Sequence, residues 1–177
     1  MASQSSQIIK KISQLSLFLA LGIIFSIIES MIPIPIPVPG IRLGLANTIG
    51  LIVLYYYSPK EFLFVGFLRV LLVGLLRSGL FSISFFLSLS GWALSSIISI
   101  LLYKCKVFSI YGLSASSAVF HGIGQMVTVM IIYESSGLIM YLPILIFTGV
   151  ASGLLTAFAS SLVLSRLDKH IKFLIKE

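Results

Sequence analysis

Charged residues are scarce in this chain, and acidic residues are the scarcest. Only 10% of the 177 residues are charged, with 5 Asp and Glu against 12 Lys and Arg, whereas 58% are hydrophobic. A soluble domain carries about 25% charged residues, so this chain could not cover a water-exposed surface. We therefore expect residues 1–177 to form a single integral membrane domain.

Residues that carry common catalytic and metal chemistry are also few. The chain has one cysteine, Cys105, one aspartate, Asp168, and two histidines, His121 and His170. A disulfide framework, a cysteine zinc site and a cluster of histidines with carboxylates are thereby excluded, and no phosphate-binding glycine loop occurs. We expect no metal, no cofactor, no ATP hydrolysis and no catalytic activity from this chain alone.

What the chain does have is apolar residues in long unbroken runs. Such runs favour membrane helices over the alternating pattern of a β-barrel, and each span needs about 20 residues. Residues 1–11 are polar and basic, but no cleavage site closes the first run, so we expect it to remain as the first span. The prediction is an all-α bundle of six transmembrane helices at about 12–31, 43–57, 60–77, 80–102, 109–132 and 139–164.

The cations predict the orientation of these spans. Cytoplasmic segments of membrane proteins are enriched in Lys and Arg. If both termini are cytoplasmic, the outer segments hold only Arg42 and Arg77, and Arg69 lies within a span. The inner segments then hold the other nine cations: Lys10, Lys11, Lys60, Lys104, Lys106, Arg166, Lys169, Lys172 and Lys176. The N-terminus and the C-terminus are therefore both predicted to lie inside.

The stretch 32–50 begins with a segment that breaks the helical pattern. Prolines alternate with apolar residues at Pro33, Pro35, Pro37 and Pro39, which fixes an extended, polyproline-like segment between the first two spans. Arg42 follows before the second span begins. We interpret this segment as the roof of a binding cavity at the outer face of the membrane.

Polar residues inside spans are costly in a bilayer, so each is a candidate for function. In the fifth span the spacing places five polar residues on one helix face, toward the bundle interior: Ser114, Ser117, His121, Gln125 and Thr128. Over the whole chain we predict a substrate site with Arg69 and His121 at its floor and the other members nearer the outer face: Glu29, Arg42, Asn47, Arg77 and Gln125.

Two interpretations of these residues stay open. Glu29 could neutralise Arg77 while His121 bonds a backbone carbonyl, which would make the cluster purely structural. However, one acid cannot neutralise two embedded arginines, and a guanidinium binds carboxylate or phosphate through two parallel hydrogen bonds. The surplus charge favours an anionic or strongly hydrogen-bonding ligand.

Small residues repeat at intervals of about four in the first and last spans. Such a stripe lets two helices approach closely in lipid, either within the bundle or against another membrane protein. In the sixth span, where Gly149 and Gly153 begin the stripe, internal packing is the simpler interpretation. In the first span we predict a docking surface for a partner: Ser16, Ala20, Gly22 and Ser26.

Four motifs resemble a known family. GIRLGLANTIGL (40–51), LRVLLVGLLRSG (68–79), SLSGWALS (88–95) and YGLSASSAVFHGIGQ (111–125) together resemble the Gx transporter family, also called heptaprenyl diphosphate synthase component I. That family is similar to the substrate-binding S components of energy-coupling factor (ECF) uptake transporters. The resemblance implies a multi-pass protein of a bacterial plasma or inner membrane.

The resemblance also implies a function and partners. An S component binds its small-molecule ligand near the outer face and docks on a transmembrane coupling protein driven by two cytoplasmic ATPases. The implied ligand is a small anionic or polar precursor of the vitamin, isoprenoid or quinone type. The alternative is a membrane subunit of heptaprenyl diphosphate synthase, and a third possibility is a scaffold without a ligand.

Overall fold

The computed structural model describes residues 2–32 and 44–174, and within them it is helical throughout, without a strand. Six α-helices follow one another: α1 (Ala2–Met31), α2 (Leu45–Tyr56), α3 (Pro59–Val73), α4 (Ile83–Cys105), α5 (Ile110–Ile132) and α6 (Leu142–Leu174). A π-helical turn, Gly74–Ser78, continues α3, and a 3-10 turn, Ser136–Tyr141, precedes α6. The proline-rich segment and Arg42 lie outside the described residues, so its predicted role as a roof stays a prediction.

The helices coincide with the six predicted apolar segments, but their lengths differ from the prediction. Four stretches are long and apolar enough to cross a membrane: Ser5–Met31, Ile83–Cys105, Ile110–Ile132 and Ser136–Leu167. The helices α2 and α3 have 12 and 15 residues, fewer than the roughly 20 that a span needs. Six spans with both termini inside therefore remain a prediction, whereas a membrane-type helical protein is what the structure supports.

Serine residues set the starts of three helices. The hydroxyl oxygens of Ser58, Ser82 and Ser109 accept hydrogen bonds from backbone N–H groups in the first turns of α3, α4 and α5. Each bond satisfies a donor that has no partner within the helix. Pro59 also favours the start of α3 at this point, because its fixed φ suits the first helical position.

The most enclosed helix is α2. Its residues Ile52, Val53 and Leu54 are each at most 2% exposed, and the helix packs against α1, α3 and α6. Just after α2 ends, the Tyr57 hydroxyl donates a hydrogen bond of 2.7 Å to Oε1 of Gln14 in α1. Together these contacts hold α2 at the centre, where its polar residues reach the interior of the bundle.

Glycines bring α5 into close contact with both of its neighbours. A Cβ atom placed on Gly153 of α6 would lie 2.6 Å from Ala115 Cα, and one placed on Gly124 of α5 would lie 2.7 Å from the Ser90 carbonyl oxygen of α4. Both distances are too short for a side chain, so only glycine allows these approaches. The small-residue stripe of the sixth span therefore packs inside the bundle, as the simpler interpretation predicts.

Candidate functional site

A cavity of about 80 Å³ lies among the helices, and all six contribute to its lining. We call it the upper cavity. It brings together five of the predicted site residues: Glu29, Asn47, Arg69, Arg77 and His121. These residues come from α1, α2, the α3 segment with its π-helical turn, and α5, so only the folded bundle assembles them. The volume is enough for roughly five to eight water molecules, or for the polar part of a small ligand.

Arg69 lies at the centre of the contacts around this cavity. Its Nη1 donates to the Ala46 carbonyl oxygen at 2.6 Å, and Nη2 lies 3.4 Å from Asn47 Oδ1. On the other side, the Arg69 Cδ atom packs over Gly22 of α1, where an added Cβ would approach it to 3.3 Å. The side chain thus extends from α3 toward α2 and α1, with its direction fixed by a backbone acceptor.

Glu29 has a backbone partner instead of the arginine considered in the structural interpretation. It is 6% exposed, and its Oε1 accepts a hydrogen bond from the N–H of Gly44, which has φ +82° at the start of α2. Arg77 Nη2 donates instead to the carbonyl oxygen of Ser30 at 3.1 Å. Both residues line the upper cavity, but the two side chains are each engaged with the backbone rather than with each other.

Arg77 is exposed and reaches the cavity from the π-helical turn Gly74–Ser78. Such wide turns occur preferentially at functional sites. Gly74 permits the turn to pack closely, because an added Cβ would lie 2.5 Å from Phe85 Cδ2. The sequence places Arg77 at the end of the third span but does not predict this change of helical geometry.

His121 and Gln125 lie one turn apart on α5 and pack over the same residue of α4. A Cβ on Gly91 would lie 2.9 Å from Gln125 Cγ and from His121 Nε2. His121 lines the upper cavity, whereas Gln125 is 1% exposed and does not. Neither atom of the Gln125 amide has a hydrogen-bond partner among the described residues. Because Gln125 does not line the upper cavity, its predicted contact with a ligand stays a prediction.

Hydroxyl groups that the sequence argument did not select complete the lining. They come from α4 and α6: Ser84, Ser88, Thr148 and Ser152. The sequence spacing could have identified these residues, because side chains four apart on a helix share one face. Ser84 and Ser88 are spaced in this way, and so are Thr148 and Ser152. Two guanidinium groups, one carboxylate, an imidazole, an amide and several hydroxyls thus form a cationic, hydrogen-bonding cavity.

The four predicted docking residues of α1 divide between two faces. Gly22 is buried against Arg69, and Ser26 lines the upper cavity and donates to the Gly22 carbonyl oxygen at 2.8 Å. Ser16 and Ala20 are exposed. A docking surface on α1 would therefore use Ser16 and Ala20, while Gly22 and Ser26 belong to the interior.

Comparison with known proteins gives one result. The family model of heptaprenyl diphosphate synthase component I matches residues 18–163, a range that contains all the residues lining the upper cavity. No curated protein and no solved structure matches this chain.

Proposed function

This chain belongs to the heptaprenyl diphosphate synthase component I family, and we propose that it is a membrane protein that binds a small anionic or polar molecule. More specifically, we propose the S component of an ECF-type uptake transporter, loaded from the outer face of a bacterial membrane. The chain is then a binding subunit without catalytic activity, and a coupling protein with two ATPases supplies the energy.

The observation that carries this proposal is the composition of the upper cavity. Arg69 and Arg77 face a single carboxylate, Glu29, which is already engaged with a backbone N–H group. The cavity lining therefore holds more cationic than anionic side chains, and ionisable residues inside a membrane-type protein commonly mark a ligand site. An anionic ligand suits this excess of positive charge, and the Asn47 amide and the His121 imidazole are polar groups of the same lining.

The proposal is tested by retention of a ligand. The protein is expressed in its natural host, purified in detergent and analysed by native mass spectrometry for small molecules that remain bound. We expect a bound anion in the natural protein and its loss in Arg69→Met, since methionine is an unbranched apolar side chain that lacks the charge and the donors. Arg166→Met removes an exposed cation from α6 and serves as the matched control. Equal retention in Arg69→Met and Arg166→Met would contradict the proposal.

A second candidate function is supported by the family name. A component I of heptaprenyl diphosphate synthase would be the membrane subunit of an enzyme that has at least one other component. Prenyl diphosphate synthases bind magnesium diphosphate through paired aspartate-rich motifs, and this chain has a single aspartate, Asp168. In this alternative the catalytic residues would belong to the partner, and the cationic cavity would bind a diphosphate group.

Co-purification separates the two candidates. The tagged chain is isolated from its natural host under mild detergent conditions, and its partners are identified by mass spectrometry. A coupling protein with two ATPases favours the uptake subunit. A soluble aspartate-rich synthase favours the second candidate and would contradict the first.

A further inference from the structure

A second cavity lies directly beside the upper cavity, further along the bundle. It has a volume of about 40 Å³, and we call it the lower cavity. On α4 its lining runs from Trp92 to Ser99, whereas the upper cavity is lined by the first two turns of that helix. Along α4 the lower cavity is therefore displaced by about two to three helical turns, toward the end of the bundle where α1 begins.

Serine hydroxyls surround this second cavity. They come from α4 and α5: Ser95, Ser96, Ser99, Ser114 and Ser117. Ser99 Oγ donates to Ser117 Oγ at 2.8 Å, and Ser114 Oγ donates to the Gly153 carbonyl oxygen at 2.7 Å. The lining has no carboxylate, and Arg69 is its only charged side chain within residues 2–32 and 44–174.

Two polar atoms of the lining lack partners. Ser96 is 1% exposed, and neither its Oγ nor the indole Nε1 of Trp92 has a hydrogen-bond partner among the residues that the structure describes. A buried polar group without a partner costs about 1–3 kcal/mol, so native proteins satisfy such groups with ordered water or a ligand. The indole N–H only donates, so its partner must present an accepting oxygen.

Arg69 separates the two cavities. It lines both of them, together with Gly44, Ala46, Asn47 and Ala118. Its hydrogen bond to the Ala46 carbonyl oxygen and its packing on Gly22 hold the side chain across the bundle at this level. The guanidinium group therefore forms part of the wall between the upper and lower cavities.

We propose that the lower cavity is a binding site for small neutral molecules with an accepting oxygen, and that in the resting protein a cluster of water occupies it. The volume accommodates on the order of three water molecules. One of them accepts from Trp92 Nε1, and one bonds the Ser96 hydroxyl. This site is independent of which molecule enters the upper cavity.

The chain has a built-in reporter for this site, because Trp92 is its only tryptophan. Fluorescence is excited at the red edge of the tryptophan band, on protein in lipid nanodiscs, in H₂O and in D₂O. We expect D₂O to increase the emission, since an indole N–H in contact with water exchanges its proton for deuterium. Ser96→Val and Ser117→Val fill the cavity from α4 and from α5, so each should shift the emission to shorter wavelength and remove most of the D₂O effect.

Ser165→Val, at an exposed position of α6, is the matched control and should leave both quantities unchanged. The use of two filling variants keeps the test open if one of them fails to fold. An emission that does not respond to D₂O in the natural protein would overturn the proposal, because the cavity would then be dry. A D₂O effect that survives in both filling variants would also overturn it.

The wall is tested separately with acrylamide, a neutral quencher that dissolves in water. Quenching of Trp92 should increase in Arg69→Met relative to Arg166→Met. The shorter methionine side chain no longer reaches α2, so the two cavities become continuous. Equal quenching in the two variants would overturn the role of Arg69 as the wall. Both variants are compared without a bound small molecule, so this readout is distinct from the test of the uptake function.

Discussion

The guanidinium Nη1 of Arg69 donates a hydrogen bond of 2.6 Å to the carbonyl oxygen of Ala46. The donor lies in the last third of α3 and the acceptor in the first turn of α2, so the bond joins two of the shorter helices at the level of the cavities. One contact to the backbone thus positions the charge on which the proposed function depends.

Gly22 of α1 should control the position of this charge. In Gly22→Val the new side chain would meet Arg69 Cδ, because even a Cβ lies only 3.3 Å away. We expect a loss of ligand retention close to that of Arg69→Met, and a stability decrease of about 1–3 kcal/mol from overpacking. Gly137→Val is the control, because the nearest atom to its Cβ is Ser135 Oγ at 3.9 Å. Full retention in Gly22→Val would show that Arg69 does not need this support.

Glu29 should contribute to stability through its bond to the Gly44 N–H. Glu29→Ala leaves that buried donor without an acceptor, which should lower the stability by about 1–3 kcal/mol in thermal unfolding followed in detergent. Glu29→Gln keeps an oxygen at the same place and should recover most of the loss. If both variants unfold at the same temperature, the carboxylate has another role.

The contact between α5 and α6 should depend on Gly153. Gly153→Ala places a methyl group against the backbone of Ala115 and Ser114, so we expect a destabilisation of about 1–3 kcal/mol. Gly112→Ala is the matched control within α5, because its Cβ would make ordinary contacts at 3.5 Å and 3.9 Å. Alanine is the better helix former, so the control should be neutral or slightly stabilising. Equal stability of the two variants would contradict the close approach.

The exposed face of α1 should be required for a partner and not for the ligand. Ala20→Leu is expected to reduce co-purification of the coupling protein while the bound small molecule is retained, because a larger side chain blocks close helix packing. Ala151→Leu changes an exposed alanine of α6 in the same way and should have no effect. Undiminished co-purification of the partner with Ala20→Leu would remove this face from the docking proposal.

The sequence predicts the number of helices and their approximate positions, because long apolar runs leave few alternatives, but it does not predict their exact limits. Periodicity also identifies the face of α5 that turns inward. It cannot specify which neighbouring helix covers each position of that face. His121 and Gln125 both contact α4 at Gly91, but only His121 lines the upper cavity.

The partners of charged residues are harder to predict from sequence. A list of side chains suggests that Glu29 pairs with an arginine, but the backbone N–H of Gly44 is its partner in the structure. Backbone donors become available only where a helix begins, and the position of that end in space depends on the fold. The lower cavity was not predicted for a related reason. A single serine in a membrane helix does not indicate a polar site, and the cluster of serines forms only when two helices pack together.

The π-helical turn Gly74–Ser78 sets the direction in which the chain leaves α3. In such a turn the helix accommodates one residue more than the ordinary pitch would. If the same residues instead continued α3 with 3.6 residues per turn, everything beyond the turn would be rotated by about 100° around the helix axis. Arg77 would then leave the rim of the cavity although no side chain of the site had been replaced, so the register of this turn is as much a determinant of the site as the arginine itself.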